Sequence, residues 1–265
     1  MLFQKNRRAQ YFTTSYVDAF AGTGAIPTAE PGPLAEDIPG LAEGIEEYRK
    51  GSVKRALEVE PPFHKYVFIE KDSGKCNDLA VLAAKFPTRK VKILNEDANS
   101  ALLRWCEQLD TKHERAVVFL DPFGAAVEWK TIVALAHTHA VDLWILFPYF
   151  AVNRMLIRDR KPPEAWASRL TKTFGTADWE EEFYSTATYQ SIFDPAQEIE
   201  RVYKTADHGK ISNFFLKRLS AEFEAVSKPL ALYSSKSLLF LLYFAAGNES
   251  SARVGVKIAN SIVGR

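Results

Sequence analysis

The sequence predicts an α/β fold: a mostly parallel, doubly wound sheet with an antiparallel closing strand and a helical insertion ahead of it. Short apolar runs alternate with segments of helical period through the first 150 residues. Each run stops at a glycine, an acid or a proline. A charged, aromatic stretch then breaks the rhythm before two final apolar runs.

The first run, residues 17–20, ends at Gly22 and Gly24. The second, 66–69, ends in Glu70-Lys71-Asp72, and the third, 90–94, in Asn95-Glu96-Asp97. The fourth, 116–120, ends in Asp121-Pro122, and the fifth, 142–147, in Pro148. Runs this short, partly β-branched or aromatic and bounded by turn residues, are the pattern of buried strands in a parallel sheet. Between them, residues 73–85 put Cys76, Leu79, Ala80, Ala83 and Ala84 on one helical face, and residues 100–109 do the same with Leu102, Leu103 and Cys106. Strands alternating with such helices imply right-handed βαβ units.

Two stretches depart from the rhythm. Residues 27–51, with several prolines and glycines and an acidic run over 43–47, read as a long loop with one short helix over the first strand's end. Residues 158–227 carry turn signals at Lys161-Pro162-Pro163 and Asp194-Pro195 and read as a mainly helical insertion for substrate or partner recognition. Closing strands follow at 228–234 and 237–246, then a C-terminal helix from about Ser250. The sheet core is thus expected over 1–157 and 228–265.

At 265 residues, 47% hydrophobic and 25% charged, the chain can bury a sizeable core. The net charge of +1 gives no global footprint for nucleic acid, so such a partner must meet a local basic patch. Cys76 and Cys106 fit neither a disulfide framework nor a metal-ligand spacing, which points to a reducing, cytoplasmic setting. His137 and His139 lack the i, i+4 spacing of ligands on one helical face, and no metal is expected. The N-terminal residues lack the apolar run of a secretory signal. The longest apolar stretch, 238–246, is about half of the ~20 residues a membrane span needs.

In open α/β sheets ligands bind outside the carboxyl ends of the strands, where the conspicuous residues of this chain lie. Gly22 and Gly24 would let a ligand approach the backbone closely, although a Gly-x-Gly after a strand also serves as an ordinary turn. Pro27 stands where a nicotinamide fingerprint has its third glycine. Glu70 can accept hydrogen bonds from both hydroxyls of a ribose, with Asp72 or Ser73 capping the next helix. Asp97 offers an acceptor to an exocyclic amine beside the small Ala98, or alternatively caps a helix. Asp121-Pro122-Phe123-Gly124 combines an acid, a rigid turn and an aromatic that can stack on a planar base or simply fill the core. Arg154, Arg158, Arg160 and Lys161, after Pro148-Tyr149-Phe150, suit phosphates beside aromatic platforms or a solvated helix face. Trp129 and Trp144 read as core.

The order Asp18, Gly22, Gly24, then Glu70, Asp97 and Asp121-Pro122-Phe123-Gly124 resembles motifs I to IV of Rossmann-like class I S-adenosylmethionine-dependent methyltransferases. More narrowly, the chain resembles the three-Cys-motif partner (TcmP) family through YVDAFAGTG, GSVKRAL, YVFIEKD, NEDAN, FLDPFGAAVEWKTIVALA and VDLWILFP, a likeness covering about residues 16–155. The resemblance implies S-adenosylmethionine as cofactor. Asp18, Gly22 and Gly24 would meet its amino-acid part, Glu70 its ribose, and Asp97 with Ala98 its adenine; Phe20, Lys71 and Asp121 complete the set. Asp-Pro-Phe-Gly is similar to motif IV of tRNA guanine-N2 dimethyltransferases, and more distantly to the Asp-Pro-Pro-Tyr of amino-methylating enzymes. That implies Asp121 orienting an acceptor nitrogen, the Pro122 carbonyl assisting and Phe123 stacking, with Gly124, Arg154 and Arg158 binding substrate. Phe123-Gly124 departs from the Pro-aromatic pair of the amino-methylating group. The family's name implies a partner with three clustered cysteines, similar to radical S-adenosylmethionine enzymes, and the motifs imply RNA or another nucleic acid as substrate. The competing readings are a catalytically weak partner or scaffold subunit that keeps the pocket, and an NAD-dependent oxidoreductase, which the broken third glycine disfavours.

Overall fold

A computed structural model describes residues 11–23, 51–190, 198–234 and 237–263. The predicted glycine at position 24 and nearly all of the 27–51 loop lie outside the described residues.

Five strands run parallel: β1 (Thr13–Asp18), β2 (Lys65–Glu70), β3 (Val91–Asn95), β4 (Glu114–Leu120) and β5 (Val141–Phe147), in the spatial order β3-β2-β1-β4-β5. The long strand β10 (Ser237–Ala246) pairs antiparallel with β5, from Leu241 opposite Phe147 to Ala246 opposite Asp142. The far edge of β10 is covered by two short strands, β8 (Ala225–Val226) and β9 (Leu230–Ser234). This mostly parallel α/β sheet with an antiparallel closing strand is the Rossmann-like class I methyltransferase arrangement that the sequence predicts. The chain winds outward from β1 through β2 to β3, then returns to β4 on the other side. The topological switch point therefore falls between β1 and β4, where such sheets open a ligand crevice.

β1 starts four residues earlier than its apolar run, because Thr14 and Ser15 are buried between β2 and β4 while looking polar in sequence. Helix α1 (Ser52–Glu58) and helix α2 (Ser73–Ala83) cover one face of the sheet, setting Val53, Leu57, Leu79 and Leu82 on Tyr66 and Phe68. The buried stripe of α2 is Cys76, Leu79 and Leu82; Ala80 and Ala84, expected on that face, are exposed. Helix α3 (Ala98–Gln108) and helix α4 (Trp129–His137) cover the other face, and α5 (Tyr149–Met155) follows β5 directly. The C-terminal α9 (Glu249–Val263) packs on β10.

Residues 158–227 hold α6 (Glu164–Phe174), α7 (Trp179–Phe183) and α8 (His208–Glu222), and also an antiparallel hairpin of β6 (Tyr184–Gln190) and β7 (Glu198–Lys204) that the helical expectation omitted. The alternating Thr and Tyr of β6 favour a strand. This segment shares the main hydrophobic core: Phe215 stacks on Phe147 with ring centroids 4.3 Å apart, and Phe174 lies 6.1 Å from Phe147. The Tyr243 hydroxyl, buried, meets Ser212 Oγ at 2.9 Å and joins α8 to β10. Helix α6 ends on Gly175 at φ 72°, pressed against the Trp129 ring so closely that any Cβ would overlap it. That contact fixes where α6 lies, which matters for the site. Among the described residues no helix is long and apolar enough to cross a membrane.

Candidate cofactor-binding and active site

The turn after β1 is built around Asp18. Its carboxylate is fully buried, with Oδ1 accepting the Phe20 N–H at 3.2 Å and Oδ2 accepting the Ser52 hydroxyl at 3.0 Å. Asp18 thereby ties the end of β1 to the first residue of α1. Gly22, at φ 60°, turns its N–H onto Glu70 Oε2 at 3.0 Å, while Glu70 Oε1 accepts the Asp72 N–H at 2.9 Å. Asp72 caps α2 through the Lys75 N–H, as expected. Asn95 at the end of β3 donates to the carbonyls of Glu70 and Lys71, which locks the second and third strand ends together.

These strand ends form one wall of a cavity of about 600 Å³, within the size range of small-molecule sites. Phe20, Glu70, Lys71, Asp97 and Ala98 line it, and so do Ala125 and Ala126 from the loop after β4. Asp97 is exposed and caps α3 through Oδ1 to the Ser100 N–H at 3.0 Å, with Ala98 buried beside it. Asp97 is therefore a helix cap that also lines the cavity.

Across the cavity stands α6, which contributes Ala165, Ser168, Arg169 and Lys172. Sequence reasoning placed none of these in the site. Their 3-4 spacing marks the polar stripe of an amphipathic helix, but such a stripe reads the same over a cavity as in open water. Lys172 approaches Glu128 Oε1 at 3.9 Å, and Glu128 also binds Lys130 at 2.7 Å. Asn99 was missed as well. It donates to the Ala126 carbonyl at 2.9 Å and accepts from the Glu128 N–H at 3.0 Å and the Thr131 hydroxyl at 2.9 Å, clamping the loop after β4 to α3.

In that loop Asp121 is 7% exposed, Pro122 is buried and Phe123 is 41% exposed, with Gly124 at φ 60° making the turn. Asp121 lies across the switch point from Asp18. Burial pushes the Tyr16 phenol well above its ordinary range, and the negative charges of Asp18 and Asp121 push it further. Asp121, Pro122, Phe123 and Gly124 adjoin the cavity through Ala125 without lining it, and Asp18 and Gly22 do not line it either. Arg154 is exposed on α5, and Arg158 is exposed where its carbonyl accepts the Lys204 N–H at 2.8 Å. Neither arginine lines the cavity. Cys76 is buried with its thiol on the Glu70 carbonyl at 3.3 Å, and burial pushes the Cys106 thiol up to about 12; both are free.

No family model matches the chain, and no curated protein matches it. Among solved structures it is similar to a putative methyltransferase, yhhF, from Escherichia coli, at 17% identity and TM-score 0.30 over 73% of this chain and 77% of that one. It is also similar to a putative methylase, HI0767, from Haemophilus influenzae, at 15% identity and TM-score 0.29 over 78% of this chain and 92% of that one. A third is Trm1 from Pyrococcus horikoshii in complex with S-adenosyl-L-methionine, at 12% identity and TM-score 0.33; the match covers 86% of this chain and 57% of Trm1. The fold assignment stands on strand order and register, and the likeness to the three-Cys-motif partner family on its motifs alone.

Proposed function

We propose that this chain is an S-adenosylmethionine-dependent methyltransferase that methylates nitrogen on a nucleobase, with RNA as the favoured acceptor. The cavity at the carboxyl ends of β1, β2 and β3, beside the Asp121-Pro122 turn of β4, carries the reading. Its residues fit the cofactor. Each Glu70 oxygen accepts one backbone N–H and keeps acceptor capacity for a ribose hydroxyl. Asp97 uses Oδ1 in its cap, leaving Oδ2 for the adenine amine, and Ala98 and Ala126 are small enough to flank the ring.

When bound, the sulfonium supplies an already activated methyl group, so the chain's own task is positioning. Asp121 accepts a hydrogen bond from the exocyclic amine of the acceptor base and turns its lone pair toward the cavity. Pro122 fixes the backbone there, and the half-exposed Phe123 offers a ring face to the base. A three-Cys-motif, radical-S-adenosylmethionine-like protein belongs to the same proposal as partner, supported by the motif resemblance.

Calorimetric titration tests the cofactor: S-adenosylmethionine binds and NAD does not. In the Asp121→Ala protein, transfer of labelled methyl to total RNA falls by about a hundredfold or more. Absence of S-adenosylmethionine binding overturns the proposal, and undiminished transfer by Asp121→Ala overturns the role of Asp121.

A further inference from the structure

The hairpin β6/β7 has two unlike faces. Pairing puts Ser185 opposite Tyr203 and Ala187 opposite Arg201, with Tyr189 next on β6. Alternation along a strand therefore sets Tyr189, Arg201 and Tyr203 on one face, Arg201 and Tyr203 about 7 Å apart. The small Ser185 and Ala187 leave the rings uncovered: Tyr189 is 53% and Tyr203 42% exposed. Both acids of β7, Glu198 and Glu200, fall on the opposite face. That opposite face is anchored at its root, while Thr186, Thr188, Glu198 and Glu200 farther out on it are exposed. Val202 packs against the main core, Tyr184 is buried with its hydroxyl on the Ile157 carbonyl at 3.0 Å, and Lys204 Nζ donates to Asn153 Oδ1 at 2.6 Å.

Asn153 lies on α5, which leaves the sheet at the carboxyl end of β5, the strand next to β4. The hairpin is thus rooted on the same rim as Asp121 and Phe123, on the acceptor side of the cavity. Exposed Arg158 lies beside its root, and its charge is close enough to Lys204 to lower its pKa further after burial has done so.

We infer that this Tyr189-Arg201-Tyr203 face is an arm that binds single-stranded nucleic acid and presents it to the Asp121 rim. Two uncovered rings around a guanidinium supply stacking faces that every base can use, and Arg201 supplies a cation for the phosphate between. Among the described residues of the hairpin this face carries Arg201 and no acid, which complements a polyanion. The inference rests on the methyltransferase reading for what the arm delivers.

The test is fluorescence anisotropy with the full chain and labelled single strands of about 20 nucleotides, one RNA and one DNA of the same sequence, at about 50 and 200 mM salt. Tyr189→Ala/Tyr203→Ala weakens binding by about tenfold or more while S-adenosylmethionine affinity by calorimetry is unchanged. Arg201→Glu, which leaves both rings in place should the double variant misfold, weakens binding comparably and reduces the salt dependence by about one phosphate contact. The RNA and DNA arms assign the sugar. Affinity for the bound strand within about twofold of wild type in both variants overturns the inference, as does a wild-type chain that binds neither strand. Hairpin-dependent RNA binding without S-adenosylmethionine binding sinks the methyltransferase reading alone; cofactor binding with hairpin-independent RNA affinity sinks the arm alone.

Discussion

Gly22 and Glu70, 48 residues apart in sequence, are joined by a 3.0 Å hydrogen bond from the Gly22 N–H to Glu70 Oε2. The bond makes the carboxylate part of the turn as well as part of the cavity wall, because the Asp72 N–H holds its other oxygen. Glu70→Gln keeps the shape and replaces one acceptor with an amide that has no place to donate. Charge-assisted bonds of this kind are each worth about 1.5–3 kcal/mol. S-adenosylmethionine affinity by calorimetry is expected to fall by about tenfold or more, with a small drop in melting temperature. Wild-type affinity in Glu70→Gln would remove Glu70 from the cofactor set.

Asn99 makes a prediction of a different kind, because its side chain is spent on the protein. Asn99→Ala removes one donor and one doubly used acceptor, leaving the Ala126 carbonyl and the Glu128 N–H to find other partners, at a cost of about 2–3 kcal/mol. The loop holding Ala125 and Ala126 loosens with it. Urea denaturation is expected to show that loss and calorimetry a weaker cofactor affinity. Asn99→Asp, which keeps the acceptor and sets a carboxylate against the Ala126 carbonyl, should lie between. Equal stability of Asn99→Ala and wild type would show that the clamp does not hold the loop.

The strand ends were legible in the sequence for a physical reason. The apolar runs of β2 and β4 are long enough to stand out, so the acid that ends each run, Glu70 or Asp121, marks the carboxyl end of the strand. The opposite wall of the cavity was not legible. Arg169 and Lys172 on α6 look like any solvated stripe, and only the packing of Phe174 against Phe147 and of Gly175 against Trp129 decides that the stripe faces the cavity. The hairpin escaped for a related reason: Tyr189, Arg201 and Tyr203 alternate with polar Thr188, Gln190, Glu200 and Lys204, which leaves no apolar period of a buried strand.

Gly175 tests that packing directly. Gly175→Ala puts a Cβ into the Trp129 ring at a backbone conformation that L-residues disfavour, and the only relief is a shift of α6. A destabilisation of about 2–4 kcal/mol is expected, seen as a fall in melting temperature of roughly 5–10 °C. Because α6 walls the cavity, cofactor affinity should weaken in the same variant. Unchanged affinity with lowered stability would mean that α6 touches no bound cofactor.

Asp142 supplies the pH dependence. It sits in β5 opposite Ala246, 6% exposed, and burial pushes its carboxyl up to about 6, while the Gly247 N–H and the Arg115 guanidinium pull the other way. In the unfolded chain an aspartate titrates near 4. The folded state therefore holds the proton over a window in which the unfolded state has lost it. The contribution is fully present below about 4 and is lost as pH rises through about 6, amounting to roughly 3 kcal/mol. Asp142→Asn stays neutral throughout, so its stability relative to wild type should rise by up to that amount between about pH 4 and pH 7.5, most steeply near 5, midway between the two titrations. Arg115 is not stranded by the change: its Nη1 donates to the carbonyls of Thr111 and Glu114, and its guanidinium lies 4.0 Å over the Phe12 ring. Urea denaturation of both proteins across that range measures the difference between them, which cancels every other titrating group. A difference that does not change with pH would mean that Asp142 is ionised in the folded protein at the same pH as in the unfolded chain, and that Arg115 and Gly247 fully offset its burial.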